Sequence, residues 1–298
     1  ILVRDGVRLR LTEAGIEVEE AWIETTALPA GFSTRFGRFF SGIGYQNNRH
    51  AHAWDFLDQP LPYQAFLGDQ YLDDGVQLRW LAPTDLYLEF GGEILRGSRY
   101  PAGGAEDSGF GTRAFYVHSG GDVGDGSSWL AGVSWLHAEA GDRQSGQGDH
   151  PVIFTGDTEL AIAQMVWKWA PHGNWVQKNL ILQGEFLWRN EDGGYSLPTG
   201  IASAYDTDQY GWYVQAVYQP FPRWRVGARF DSLFGDDPGL AFAGTELATL
   251  GVDPRRYTLM LDWSNSEFSR LRFQYTYDAA GVTRGSQWGL QYIHSIGA

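Results

Sequence analysis

His50 and His52 stand two apart, so on extended backbone both imidazoles point the same way, and Asp55 and Asp58 follow at once. Imidazole beside carboxylate is a donor set that suits zinc or another borderline divalent ion better than magnesium, which takes oxygen ligands. His50, His52, Asp55 and Asp58 are therefore the candidate metal ligands, and zinc in loop 45–74 is the one cofactor the residues suggest. The same residues fit a second role, which a pair of histidines without a fixed third ligand favours, bracing a long loop folded into a pore, with Trp54 and Phe56 as packing anchors. The spacing leaves both roles open.

A second set of chemistry-bearing residues runs the length of the chain. Arg35, Arg79, Arg223, Arg225, Arg229, Arg270 and Arg272 sit among apolar neighbours at alternate positions, as do Glu19, Glu89, Glu93, Glu185 and Asp262. Rows of opposite sign facing one aqueous lumen would set a transverse field, which makes these the candidate pore-lining residues. Most of the formal net charge of −14 falls instead in the stretches 45–74, 98–110, 141–156, 191–207 and 236–255. Asp55, Asp58, Asp69, Asp73 and Asp74 are expected to form part of an acidic mouth. Such a mouth gathers cations and repels anions within a Debye length of ~8 Å at physiological salt. The same carboxylates also suit divalent-ion bridges to lipopolysaccharide. So acidic a chain is a poor partner for nucleic acid, which needs a basic face.

Other chemistry is excluded by what is missing. Without a cysteine there is no disulfide, thiolate metal site or thiol nucleophile. No nucleophile elbow, phosphate-binding loop, dinucleotide fingerprint or His-Glu-x-x-His pair is present. Asp122 to Gly126 resembles part of a calcium loop but lacks the downstream glutamate, and reads as a Gly/Asp turn. No enzymatic activity is expected.

The elements that must hold these rows are strands. Leu271, Phe273, Tyr275 and Tyr277 fall on one face while Arg270, Arg272, Gln274, Thr276 and Asp278 fall on the other. Tyr257, Leu259, Leu261 and Trp263 oppose Thr258 and Asp262 in the same way. About fourteen such segments follow one another, separated alternately by short turns and by the long acidic loops. No run of 18 apolar residues exists to form a membrane helix. Many of the strands reach ten residues, and Trp and Tyr cluster near the ends of their apolar faces, as in membrane-barrel girdles. The rival is a soluble β-sandwich or an aromatic-rich carbohydrate-binding protein, whose strands are usually shorter. The expectation is an all-β, transmembrane, antiparallel up-and-down β-barrel over residues 1–298, a single domain of about 14 strands in a bacterial outer membrane. Apolar faces should meet lipid, so a charge at Leu261 should be costly and one at Thr258 or Gln274 mild.

Several stretches carry a more specific likeness. They include Val18-Glu19-Glu20-Ala21-Trp22, Gly37-Arg38-Phe39-Phe40-Ser41-Gly42-Ile43-Gly44, His50-Ala51-His52-Ala53-Trp54-Asp55-Phe56, Trp167-Lys168-Trp169-Ala170-Pro171, Pro222-Arg223-Trp224-Arg225 and Glu267-Phe268-Ser269-Arg270-Leu271-Arg272. In these the chain resembles the Gram-negative outer-membrane family labelled zinc-regulated TonB-dependent outer-membrane receptors, itself related to phosphate-selective-porin-like barrels. The resemblance spans nearly the whole chain and implies sixteen strands in the complete protein. It also points to zinc, although this chain has room for neither the roughly 22 strands nor the plug of a TonB-dependent receptor.

The functional expectation is a porin-like channel for passive passage of small hydrophilic solutes, metal ions or small chelates. The alternative is a surface receptor or membrane scaffold that holds a partner protein with little or no transport. Outer-membrane lipid and lipopolysaccharide are the expected surroundings. A homo-oligomer and a partner protein both remain open as assemblies.

Overall fold

The computed structural model describes residues 2–12, 15–26, 28–103, 109–145, 152–197, 200–236, 253–266, 268–279 and 284–294. Fourteen strands form one antiparallel sheet in chain order. They are β1 (Val3–Thr12), β2 (Gly15–Thr25), β3 (Phe32–Phe40), β4 (Leu72–Leu81), β5 (Tyr87–Leu95), β6 (Thr112–Val123) and β7 (Ser127–Ser145). Then come β8 (Val152–Trp169), β9 (Asn179–Ser196), β10 (Ala202–Phe221), β11 (Trp224–Gly235), β12 (Arg255–Ser266), β13 (Ser269–Ala279) and β14 (Gly285–His294). Every neighbour is the next strand in the chain, the up-and-down topology that alternating connections require. Among the described residues β1 is paired with β2 and β14 with β13.

The sheet is apolar outside and polar inside. On β12, Tyr257, Leu259, Leu261 and Trp263 are exposed while Thr258 and Asp262 are buried. On β13, Leu271 and Phe273 are exposed, whereas Arg272, at 0% exposure, leads the fully buried side chains in size. Rows of exposed large apolar side chains over a buried polar and charged face invert the usual arrangement of a water-soluble protein. The exterior is built for lipid. Tyr257 and Trp263 bracket two leucines over about 20 Å of strand at ~3.3 Å per residue, with aromatic rings at both ends of the apolar band.

The long connection 41–71 shows how far the sheet curls. Its residues touch the Glu20 carboxylate on β2, Glu93 on β5, Ser134 on β7, Glu185 on β9, Asp231 on β11 and Gln274 on β13. Leu57 also lies over Gly289 on β14 so closely that a Cβ there would meet it at 2.2 Å. Only a wall wrapped around the loop brings all these strands within its reach.

Two expected loops are mostly strand. Residues 143–145 pair with 152–154 beyond a bulge, and 191–196 with 202–207, so β7 to β10 run 18 to 20 residues each. Beyond the lipid band an extended hairpin has water outside, so its outer face need not be apolar. The period-two signal disappears although the ladder continues. Inside these extensions Ala140, Val152, Phe154, Tyr195, Leu197 and Tyr205 pack together. Most of the expected loop 236–255 falls in residues 237–252, outside the described residues.

Candidate functional site

The segment 41–71 leaves β3, crosses the lumen and returns to β4, carrying a 3-10 turn at Ala51–Ala53 and a helix of about two turns, α1 (Leu61–Leu67), that ends on left-handed Gly68. Its neck is tied by Asn47, whose amide donates to the Ser41 and Tyr71 carbonyls at 2.8 and 2.9 Å and whose Oδ1 accepts the Tyr71 N–H at 2.7 Å.

Two buried glutamates of the wall hold the descending arm. Glu93 accepts from Ser41 Oγ at 2.5 Å, Gly42 N at 2.8 Å and Gln77 Nε2 at 2.7 Å. Glu185 accepts four bonds, from Tyr45 N and Gln46 N at 3.0 Å each, Tyr63 Oη at 2.8 Å and Tyr213 Oη at 2.6 Å. A carboxylate withdrawn from water is costly unless its lone pairs are satisfied, and here all the donors come from the loop or the wall beside it. Gly44 allows the approach. It sits at φ +63, and a Cβ there would lie 2.2 Å from Tyr63 Oη and 2.8 Å from Glu185 Oε2. Around this anchor Ile43, Tyr63, Phe66 and Leu67 pack with Tyr116, Leu136, Leu187 and Tyr213 of the wall.

The returning side of the loop is held by charge. Asp55 meets Arg225 at 2.9 Å, and Arg225 also meets Asp262 at 2.5 Å. Asp262 takes a two-pronged contact from Arg272, at 2.8 and 3.3 Å, while Arg272 donates to the Phe56 carbonyl at 3.1 Å. Asp58 lies between Arg229 at 3.1 Å and Arg256 at 3.0 Å. Burial works against the ionised Asp58, but Arg229, Gln274 and Arg256 outweigh it and hold the carboxyl below its ordinary range. Across the lumen, Arg35 and Arg79 share Glu24, and Arg8 lies 3.4 Å from Glu20.

These contacts sort the residues singled out from the sequence. Arg35, Arg79, Glu89, Arg225, Arg229, Asp262, Arg270 and Arg272 face inward as expected, but nearly all are paired. Glu93 and Glu185 also face inward, yet they lie beneath the loop as its anchors and do not line open water. Arg223 does not line the lumen. It occupies the β10–β11 turn at φ 74, fully at the surface. The acidic-mouth reading also changes, because Asp55, Asp58 and Asp74 are bound to arginines. Asp73 is capped by Gly97 N, Ser98 N and Ser98 Oγ.

The four candidate metal ligands are not brought together. His50 and His52 do align, with rings parallel within 4° and centroids 5.7 Å apart, but Asp55 and Asp58 are held by the β11–β12 arginines. Among the described residues no group of three His, Asp or Glu is placed to hold a metal. His50 instead packs on β2, Nε2 3.3 Å from Glu20 and Nδ1 3.7 Å from Glu19. Adjacent carboxylates reach one ring because Glu19 is a bulge, with Arg8 opposite Glu20 and Leu9 opposite Val18. The extra residue shifts the alternation, so Glu20 and Glu24 turn inward, a change of phase that local patterning does not reveal. A second bulge, between Ala140 and Arg143, turns Arg143 inward. There it meets Glu191 at 2.6 Å and the Pro101 carbonyl at 2.7 Å, tying the neighbouring loop to the wall.

Two chambers border the loop among the described residues. One, of about 590 Å³, lies toward the long connections, between Glu19, Trp54, Gln64 and Arg99. The other, of about 280 Å³, lies toward the short turns, between Arg79, Tyr87, Glu89 and His118. Phe40 borders both.

The fold matches known structures. Over 98% of this chain and 84% of the other, it superposes on a loop-deletion mutant of OmpT, an outer-membrane protein of Vibrio cholerae, with TM-score 0.61 and 12% identity. OprB of Pseudomonas putida matches at TM-score 0.58 with 12% identity over 95% and 74% of the two chains. The anion-selective porin of Comamonas acidovorans gives 0.54 with 11% identity over 94% and 78%. The fold is that of an outer-membrane β-barrel. In sequence the chain is 31% identical over 282 residues to an Aquifex aeolicus (strain VF5) protein described as uncharacterized, covering 88% of this chain and 57% of that one. It thus spans little more than half of that relative. No family model matches the sequence.

Proposed function

We propose that the chain forms a porin-like outer-membrane channel for passive passage of small hydrophilic solutes, metal ions or small chelates among them. One observation carries the reading: loop 41–71 lies across the lumen beside polar cavities, fixed at Glu93 and Glu185 on one side and at Arg225, Arg229 and Arg272 on the other. A loop so held narrows a barrel to a defined aperture while leaving polar groups on either side. Paired arginines and carboxylates around it filter by size and hydrogen bonding more than by net charge, which fits a diffusive channel for small solutes.

The apolar packing of Ile43, Phe66 and Leu67 within the lumen favours the other reading, a filled barrel acting as receptor or scaffold. Single-channel recording on the refolded chain in a planar bilayer separates the two. Discrete conductance steps are expected, and a folded barrel that passes no current overturns the channel.

A further inference from the structure

The smaller chamber gathers four unpaired polar atoms in one cavity. Its charges are matched within the protein: Arg35 lies 2.5 Å from Glu24, which Arg79 also contacts, and Glu89 lies 3.9 Å from Arg79 and 3.8 Å from His118. Its neutral groups are not matched. Gln77 Oε1, both Oε1 and Nε2 of Gln164, and His118 Nε2 are buried without a hydrogen-bond partner, and all three side chains line this cavity. Their exposures are 2%, 5% and 8%. Leaving such an atom unpaired is costly, so four in one cavity mark a place where something else supplies the bonds. Elsewhere in the lumen Gln59 of the loop also has both amide atoms unpaired, but the wall glutamines Gln183 and Gln215 satisfy one another. Gln215 donates to Gln183, and Gln183 to Gln46, each at 3.1 Å.

A hydrogen bond fixes the orientation of Gln77. Gln77 spends its amide nitrogen on Glu93 at 2.7 Å, which leaves its oxygen as an acceptor for the chamber. Gln164 and His118 stand side by side over Gly132, where a Cβ would lie 3.0 Å from Gln164 Nε2 and 2.6 Å from the His118 ring. The cavity thus offers acceptors and a donor beside an imidazole nitrogen that takes either role by tautomer, and no surplus charge. A hydroxyl both donates and accepts, so several hydroxyls on one small neutral molecule complete this set, whereas an ion would find the lining charges already paired. About 280 Å³ is room for about nine waters at ~30 Å³ each, and therefore for one sugar-sized ring.

We propose that the chamber bounded by Gln77, His118 and Gln164 is a binding subsite for neutral polyhydroxylated solutes. The proposal rests on the channel reading and narrows it to a solute class.

The test uses D-glucose as probe, with glucosamine and gluconate as a cation and an anion of similar size, on the refolded chain. Two measurements are made, saturable reduction of single-channel current and equilibrium binding in detergent followed by intrinsic fluorescence. Glucose is expected to saturate both signals, with each charged analogue at least about tenfold weaker. Gln164→Leu and Gln77→Leu should each weaken glucose by about tenfold, the equivalent of one to two hydrogen bonds. A conducting channel with no saturable glucose effect overturns the subsite and leaves the channel standing, with the chamber holding only water. Equal binding of all three probes overturns its neutrality. Glucose binding by a chain that passes no current upholds the subsite and overturns the channel.

Discussion

The Tyr63 hydroxyl donates to the Glu185 carboxylate at 2.8 Å, joining residues 122 positions apart in the chain and pinning helix α1 to the barrel wall. Much of the lumen's geometry depends on that contact, because the same carboxylate also takes the Tyr45 and Gln46 amides.

Glu185→Ala should therefore unseat the loop without opening the barrel. The four donors lose their acceptor, at about 1–3 kcal/mol for each one left buried, whereas the wall ladder is untouched. Single-channel conductance should rise about twofold or more and become noisier, while the folded band on an unheated gel persists. Unchanged conductance would mean that the remaining anchors suffice.

Leu261→Arg should cost about 2–4 kcal/mol in lipid refolding, as for arginine at other barrel midplanes, because Leu261 faces outward in the middle of β12. Gln287→Lys, on an exposed site of β14, should cost under about 1 kcal/mol. Thr258 and Gln274 are not the tolerant sites that patterning suggests. Both are buried, and Gln274 accepts the Leu57 N–H at 2.7 Å and donates to Asp58 at 2.9 Å. Equal costs at Leu261 and Gln287 would reverse the inside-out assignment.

Asp55→Asn together with Asp58→Asn should move the reversal potential toward anions at 0.01 M salt, where the screening length is ~30 Å, and hardly at 1 M, where it is ~3 Å. The cause is local. Removing the two carboxylates frees charge on Arg225, Arg229 and Arg256, which they now contact. A reversal potential that stays put at low salt would place these arginines off the ion path.

Acidification should loosen the loop. Burial, then the charges of Arg8 and His52, lower the seated His50 ring to about 4 from an ordinary 6.5, and the carboxylates facing it are Glu19 and Glu20. A released ring takes up a proton as pH falls through 6.5, while the seated ring stays neutral until about 4. Seating is thus fully favoured above 6.5 and weakens below it. Current fluctuations should grow reversibly between pH 6.5 and 5, and His50→Gln should flatten that dependence. A wild-type profile as flat as the variant's would remove His50 from loop seating.

The sequence by itself determined the architecture: strand number, antiparallel order and the inverted polarity of the faces. Each follows from period-two alternation, a local property that does not depend on which strands become neighbours across the lumen. It determined the rows of Arg225, Arg229 and Arg272 for the same reason. Only the tertiary structure decided what those rows do. Glu185 is an anchor because curvature brings Tyr63 to it, and Gln274 is an anchor because Leu57, 217 residues away, descends onto β13. The bulges at Glu19 and before Arg143 each add one residue to a strand, which changes the facing of every residue beyond it without altering the apolar pattern enough to be read. Asp55 and Asp58 looked like partners of His50 and His52 because they are near in sequence. Once the barrel closes around the loop, the arginines of β11 and β12 lie nearer in space, and a full positive charge at about 3 Å holds a carboxylate more firmly than a neutral imidazole does.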